Sequence, residues 1–193
     1  MTVRPGPHLC LVGLVVLFWV APAWADFAEP SVTLTEARVD DRGALVSFEI
    51  HGGLPKELLE RIESGTPVTF RHRLELFARR PFPIPNRVLG RTTVDTRVEY
   101  DTLGKQYVLS RTIRLRARKK RAQPPTEEHE VTDSVERMVD WMTRLDDLAI
   151  DDAGSDKFND SRRVRVTTNL GRRYIMWIFP ASLSVTAEQP LRP

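Results

Sequence analysis

Side chains able to do acid–base, nucleophilic or metal chemistry are few in this chain, and their spacing is wrong for it. Outside the first 25 residues the histidines are His51, His72 and His129, and none stands in an H-x-x-x-H or comparable ligand spacing. His72 falls within an apolar file, Val68, Phe70, His72, Leu74 and Leu76, where a hydrogen-bonded core histidine is expected. There is no G-x-S-x-G elbow and no glycine-rich phosphate loop. The single cysteine, Cys10, lies in an apolar N-terminal stretch that processing removes, which leaves no thiol nucleophile. Asp146-Asp147 and Asp151-Asp152 offer paired carboxylates for general acid and base work or for calcium. Their spacing matches no calcium loop, and acidic residues after a helix are expected to be solvated. The expectation is a protein that is not an enzyme and has no metal or cofactor.

Cations are the more informative residues. Arg111 interrupts the apolar file Tyr107, Leu109, Ile113 and Leu115, and a charge on a buried face needs a partner because leaving it unpaired costs several kcal/mol. A carboxylate from a neighbouring strand, or an opening to water, is the ordinary solution; a binding role is the other. Beyond it runs a basic stretch suited to an acidic partner or to lipid headgroups, balanced in the plainer reading by Glu127, Glu128 and Glu130. The candidate partner-binding residues are Arg111, Arg114, Arg116, Arg118, Lys119, Lys120 and Arg121.

The element that must position these cations is a hairpin over residues 92–115. Two alternating runs flank Asp101-Thr102-Leu103-Gly104, a turn signal. A connection of even length keeps the apolar files together and predicts Tyr100 opposite Lys105, Val98 opposite Tyr107, Thr96 opposite Leu109 and Val94 opposite Arg111. A three-residue connection with a bulge splits those files between the two faces. Arms of about 30 Å expose too much edge to stand alone, so other strands or helices must cover them.

Residues 1–25 read as a secretory signal: Arg4, an apolar run over 9–20, then Ala23-Trp24-Ala25, which places cleavage after Ala25 and the mature protein in the periplasm. A retained anchor is the alternative, disfavoured because the apolar run is shorter than the roughly 20 residues of a spanning helix. The remainder divides into a lead, 26–30, one β-rich domain, 31–187, and a tail, 188–193. A chain of this length can bury an adequate core without disulfides. The 29 Lys and Arg exceed the 26 Asp and Glu only slightly, and Arg4 leaves with the signal, so charge gives no argument for nucleic acid.

Along the domain, Val32 and Leu34, a turn at 40–43, then Val46, Phe48 and Ile50 predict a first hairpin. Residues 54–64 predict a short helix, with Pro55 at its start, Leu58, Leu59 and Ile62 on one face, and Gly65 as a left-handed cap. Residues 68–76 predict a strand, and 79–86, with three prolines, an extended loop or edge. Residues 116–130 are expected to be a solvated loop of charge blocks around Pro124-Pro125. Asp133 with Glu136 predicts a capping box opening a helix over 134–145, and 151–161 a loop. Val164 and Val166 predict a strand, 169–171 a turn, and 174–179 a strand buried on both faces, with a last short strand around Leu183 and Val185. The fold class expected is mainly β with two short helices, an antiparallel β-sandwich-like single domain.

Several of these segments together, Val32-Thr33-Leu34, Glu63-Ser64-Gly65-Thr66-Pro67-Val68-Thr69-Phe70, Tyr100-Asp101 with Leu103 and Gln106-Tyr107, and Trp141-Met142-Thr143-Arg144-Leu145-Asp146, resemble the bacterial family called domain of unknown function 4390. The resemblance spans about 31–179; residues 117–123 and the tail after Phe179 are less typical of it. It implies an exported proteobacterial protein without an assigned activity. It also implies a gene neighbourhood containing membrane-bound nitrogen-regulation sensor kinases, hence an envelope or membrane sensor protein as partner. The functional expectation is a non-enzymatic periplasmic interaction module for an envelope protein, with peripheral membrane contact allowed. The alternative is a small-ligand or lipid carrier, with the two apolar faces of 174–179 lining a cavity.

Overall fold

Alternation at period two sorts most of this chain into strands with one buried face. The computed structural model describes residues 29–40, 43–116, 124–151, 162–175 and 179–191. Their elements are β1 (Ser31–Asp40), β2 (Gly43–His51), α1 (Lys56–Glu63), β3 (Val68–Ala78), β4 (Arg87–Asp101), β5 (Gln106–Arg116), β6 (Thr126–Thr132), α2 (Val135–Thr143), β7 (Arg144–Asp151), β8 (Arg162–Ile175) and β9 (Phe179–Pro190). Strands β1-β2-β7 form one antiparallel sheet, and β6-β5-β4-β3-β8-β9 form a second. The expected class, mainly β with two short helices and two antiparallel sheets, is what the chain adopts.

The core lies between the sheets and under the helices. Val46, Phe48 and Ile50 of β2, with Leu148 and Ile150 of β7, face Phe70, Leu74 and Leu76 of β3, Val94 and Val98 of β4, Leu109 of β5 and Val164 and Val166 of β8. Ile62 seals one end from α1, and Met138 and Met142 seal another from α2. Helix α1 ends as predicted: Gly65, at φ 82°, donates its N–H to the Ile62 carbonyl at 2.9 Å, and Thr66 donates to the Arg61 carbonyl at 3.1 Å. That pair of bonds satisfies two carbonyls the helix end would otherwise leave open.

Several expectations need correction. The hairpin connection is even, but the register lies two residues from the predicted one: Tyr100 opposes Tyr107, Val98 Leu109, Thr96 Arg111 and Val94 Ile113. Asp101 accounts for the shift, because its Oδ1 accepts the Leu103 N–H at 2.9 Å and Lys105 takes φ 53°, which moves the turn to 102–105. Val94 and Val98 thereby gain aliphatic partners. The acidic stretch expected in a solvated loop is the edge strand β6, paired to β5. Helix α2 is capped by Ser134, whose Oγ accepts from Arg137 N, and it stops at Thr143. Leu145 belongs to β7, a strand not anticipated, which leaves the helix directly and pairs with β2. Residues 169–171 are an irregularity within β8, and 174–179 is not one strand, since Ile175 of β8 pairs with Phe179 of β9. The last strand, β9, is long. The expected signal and the loop over 152–161 lie outside the described residues.

The two sheets converge where β4 meets β7. A Cβ on Gly90 would stand 2.0 Å from the Asp151 carbonyl oxygen, and Thr92 Oγ1 donates to the Ala149 carbonyl at 2.7 Å. Only a residue without a side chain permits that approach.

Candidate functional site

Arg111 stands opposite Thr96 on β4 and Glu128 on β6, with its side chain 13% exposed. Its guanidinium lies over the Trp141 ring at 4.4 Å and donates to the Trp141 carbonyl at 2.9 Å, the Arg144 carbonyl at 3.4 Å and Glu128 Oε2 at 3.4 Å. Burial pulls its pKa down, and the neighbouring Glu128 offsets part of that pull. The residue therefore closes the C-terminal end of α2 and ties it to the hairpin, using its charge where the helix dipole is negative. The apolar file is interrupted here because a helix end needs a donor.

Beside it is the buried imidazole of His72, whose Nδ1 lies 3.1 Å from Thr168 Oγ1 and whose ring meets Phe48 and Phe70. Burial, with a smaller contribution from the Arg111 charge, pushes its pKa down to about 3. It is a neutral core histidine. His51 and His129 are surface residues near Glu49 and Glu127, each at 3.8 Å. Asp146 pairs with Arg144 and Asp147 with Arg38, while Asp151 ends β7 and Asp152 lies outside the described residues. Among the described residues no group of His, Cys, Asp and Glu side chains could hold a metal ion.

The cations that do converge lie on the outer face of the six-stranded sheet. Register places Arg71, Asp95 and Thr112 in one row, Arg73, Thr93 and Arg114 in the next, and Glu75, Arg91 and Arg116 in the third. Two carboxylates are sunk into this face, Asp95 at 14% and Glu75 at 12% side-chain exposure. Asp95 takes Arg71 Nε at 2.7 Å on Oδ1 and Arg114 on Oδ2. Burial alone would raise its pKa, but the two guanidiniums outweigh burial and hold it below the usual carboxylate range. Glu75 takes Arg91 at 2.6 Å and has Arg165 at 3.9 Å; Arg165 also donates to Glu188 at 2.6 Å and covers the Phe77 ring. Each carboxylate thus pins two arginines to the sheet.

Arg73 and Arg116 are exposed and make no hydrogen bond or ion pair among the described residues. Arg116 stands opposite Arg91, a like-charge pair that is unfavourable across a ladder. Of the sequence-predicted cations, then, Arg111 is bound at the α2 end, Arg114 belongs to the Asp95 cluster and Arg116 has no bond among the described residues. Arg118, Lys119, Lys120 and Arg121 lie outside the described residues. Arg71, Arg73, Arg91 and Arg165 were not singled out from sequence. Their signal was the recurrence of arginine at the polar positions of several strands, which only the register gathers into one surface.

The sequence model of the family described as "Domain of unknown function (DUF4390)" matches residues 28–174. No curated protein and no solved structure gives a significant match. Among the described residues no helix is long and apolar enough to cross a membrane.

Proposed function

Because the chain belongs to the DUF4390 family, whose description assigns no activity, we propose that it is a non-enzymatic interaction module. In this reading it is exported to the periplasm and takes an acidic segment of an envelope protein on the outer face of its six-stranded sheet. The observation that carries this reading is the pair of guanidiniums, Arg73 and Arg116, that are unpaired among the described residues and set among arginines already held in place by Asp95 and Glu75. Pinned arginines lose little conformational freedom on binding, and a guanidinium pairs a carboxylate through two parallel hydrogen bonds. The carrier alternative rested on 174–179 forming one strand with two apolar faces; Ile175 ends β8 and pairs with Phe179 at the start of β9, and 176–178 lie outside the described residues.

The test is photo-crosslinking in the cell envelope from a probe at Thr112, which sits in the Asp95 row. One reproducible protein partner is expected, lost in the Arg73→Glu, Arg116→Glu double variant. Undiminished capture by that variant removes this face from the interaction. Both residues are exposed, so the variant should fold, and unchanged thermal unfolding checks that it does.

A further inference from the structure

The loop over 79–86, between β3 and β4, has an apolar tip on a cationic base. Phe82 is 98% exposed, Ile84 51% and the adjoining Val88 40%. Single exposed apolar residues are ordinary, but here two share one projection, with Val88 at the start of β4 beside it. We propose that this end of the six-stranded sheet rests on an anionic lipid surface, with Phe82 and Ile84 entering the boundary between headgroups and acyl chains. The proposal is independent of protein capture by the arginine face.

Three features favour a bilayer over a protein pocket. The first is the scarcity of backbone donors. Pro81, Pro83 and Pro85 have no N–H, and Ile84 N donates to the Pro81 carbonyl at 3.0 Å, so within 81–85 only Phe82 brings a donor that entry would desolvate. Unsatisfied backbone groups are what ordinarily keep loops out of an apolar medium. The second is the placement of charge. Arg79, Arg80 and Arg87 flank the tip, and Arg163 stands beside Phe77 one row further in. Between Glu75 and Asp95 the sequence carries no Asp or Glu. Arginines behind an apolar wedge fit the level of lipid phosphates.

The third feature is shape and stiffness. Phe82 stands almost fully exposed at the tip, and prolines with fixed φ leave little freedom to be lost on insertion. Arg80 N donates to Asn86 Oδ1 at 3.3 Å and closes the base of the loop.

The experiment uses the full chain carrying Cys10→Ser and one new cysteine, from either Ile84→Cys or Leu103→Cys, labelled with an environment-sensitive fluorophore. Leu103 is 95% exposed in the turn at the opposite end of β4, which makes it the positional control for any binding through the apolar N-terminal run. On vesicles of phosphatidylglycerol and phosphatidylcholine, the label at 84 should shift to the blue and be reached by a quencher placed in the acyl chains. The label at 103 should remain in water. Adding Phe82→Asp should weaken the response at 84 by a factor of about ten or more, given what burying a phenylalanine contributes. A label at 84 that stays in water, that responds equally on pure phosphatidylcholine, or that behaves like the label at 103 overturns the proposal. So does crosslinking of position 84 to a protein without any bilayer response.

Discussion

His72 and Arg111 show how a polar residue inside an apolar file can be required by its surroundings. His72 has a folded pKa of about 3 against an ordinary value of 6.5, so the unfolded chain binds the extra proton first as pH falls. Stability from this group is therefore complete above about pH 6.5 and is lost as pH drops from there toward 3, at about 1.4 kcal/mol per unit. By pH 4.5 the loss should reach roughly 2–3 kcal/mol, visible in urea unfolding followed against pH. His72→Leu should flatten that dependence while lowering stability at neutral pH, because Thr168 loses its partner. Arg111 acts through the helix end. Arg111→Met keeps much of the stem over Trp141 but abandons the Trp141 and Arg144 carbonyls, and should cost about 2 kcal/mol. Glu128→Gln, at a carboxylate 42% exposed, should cost well under half of that by the same measurement. Equal losses would show that the ion pair, rather than the helix-end bonds, is what Arg111 supplies.

At the scale of elements, the tightest constraint is Gly90, where β4 and β7 touch. A methyl group there would meet backbone, with the Asp151 carbonyl oxygen 2.0 Å and its carbon 3.1 Å away, besides the Ile150 side chain at 3.0 Å. Neither strand end can rotate aside as a side chain would, so Gly90→Ala should part the sheets locally and cost about 2–4 kcal/mol. Amide exchange should quicken first in β7, and a change near zero would mean the sheets are not held together at this point. That convergence also explains what the sequence could and could not reveal. Strands with one buried face announced themselves by alternation, as β2 and β3 did, and α1 carried both of its end signals. Strand β6 has no apolar alternation, because an edge strand with charge on both faces is held mainly by its ladder to β5. Strand β7 was hidden because Leu145 continues the helical spacing of Val135, Met138, Val139 and Met142 into it; only pairing with β2 decides where the helix ends. The hairpin parity was legible from its apolar files, but the choice between two even registers lay in one hydrogen bond from Asp101. The candidate surface was legible only as isolated cations, since membership of a face is a property of register between strands distant in sequence.

For the whole molecule, the six-stranded sheet carries two different devices on one rigid frame: a flat array of arginines on its outer face, and a cationic end crowned by Phe82. Under the two proposals the protein meets its partner while its loop end rests on a membrane. The two devices rest on different residues, which makes them separable. Arg73→Glu with Arg116→Glu should abolish crosslinking from Thr112 while leaving the insertion of a label at Ile84 nearly intact, because neither arginine lies in the 79–86 loop. Phe82→Asp should do the reverse on isolated components. In the envelope, however, it should also reduce capture, by lowering the local concentration of the chain at the surface where an envelope protein is found. Capture recovered by tethering the Phe82→Asp variant to the membrane through an added N-terminal anchor would assign the loop a concentrating role. Capture that stays low despite the tether would place Phe82 within the protein interface itself, and the two devices would then be one.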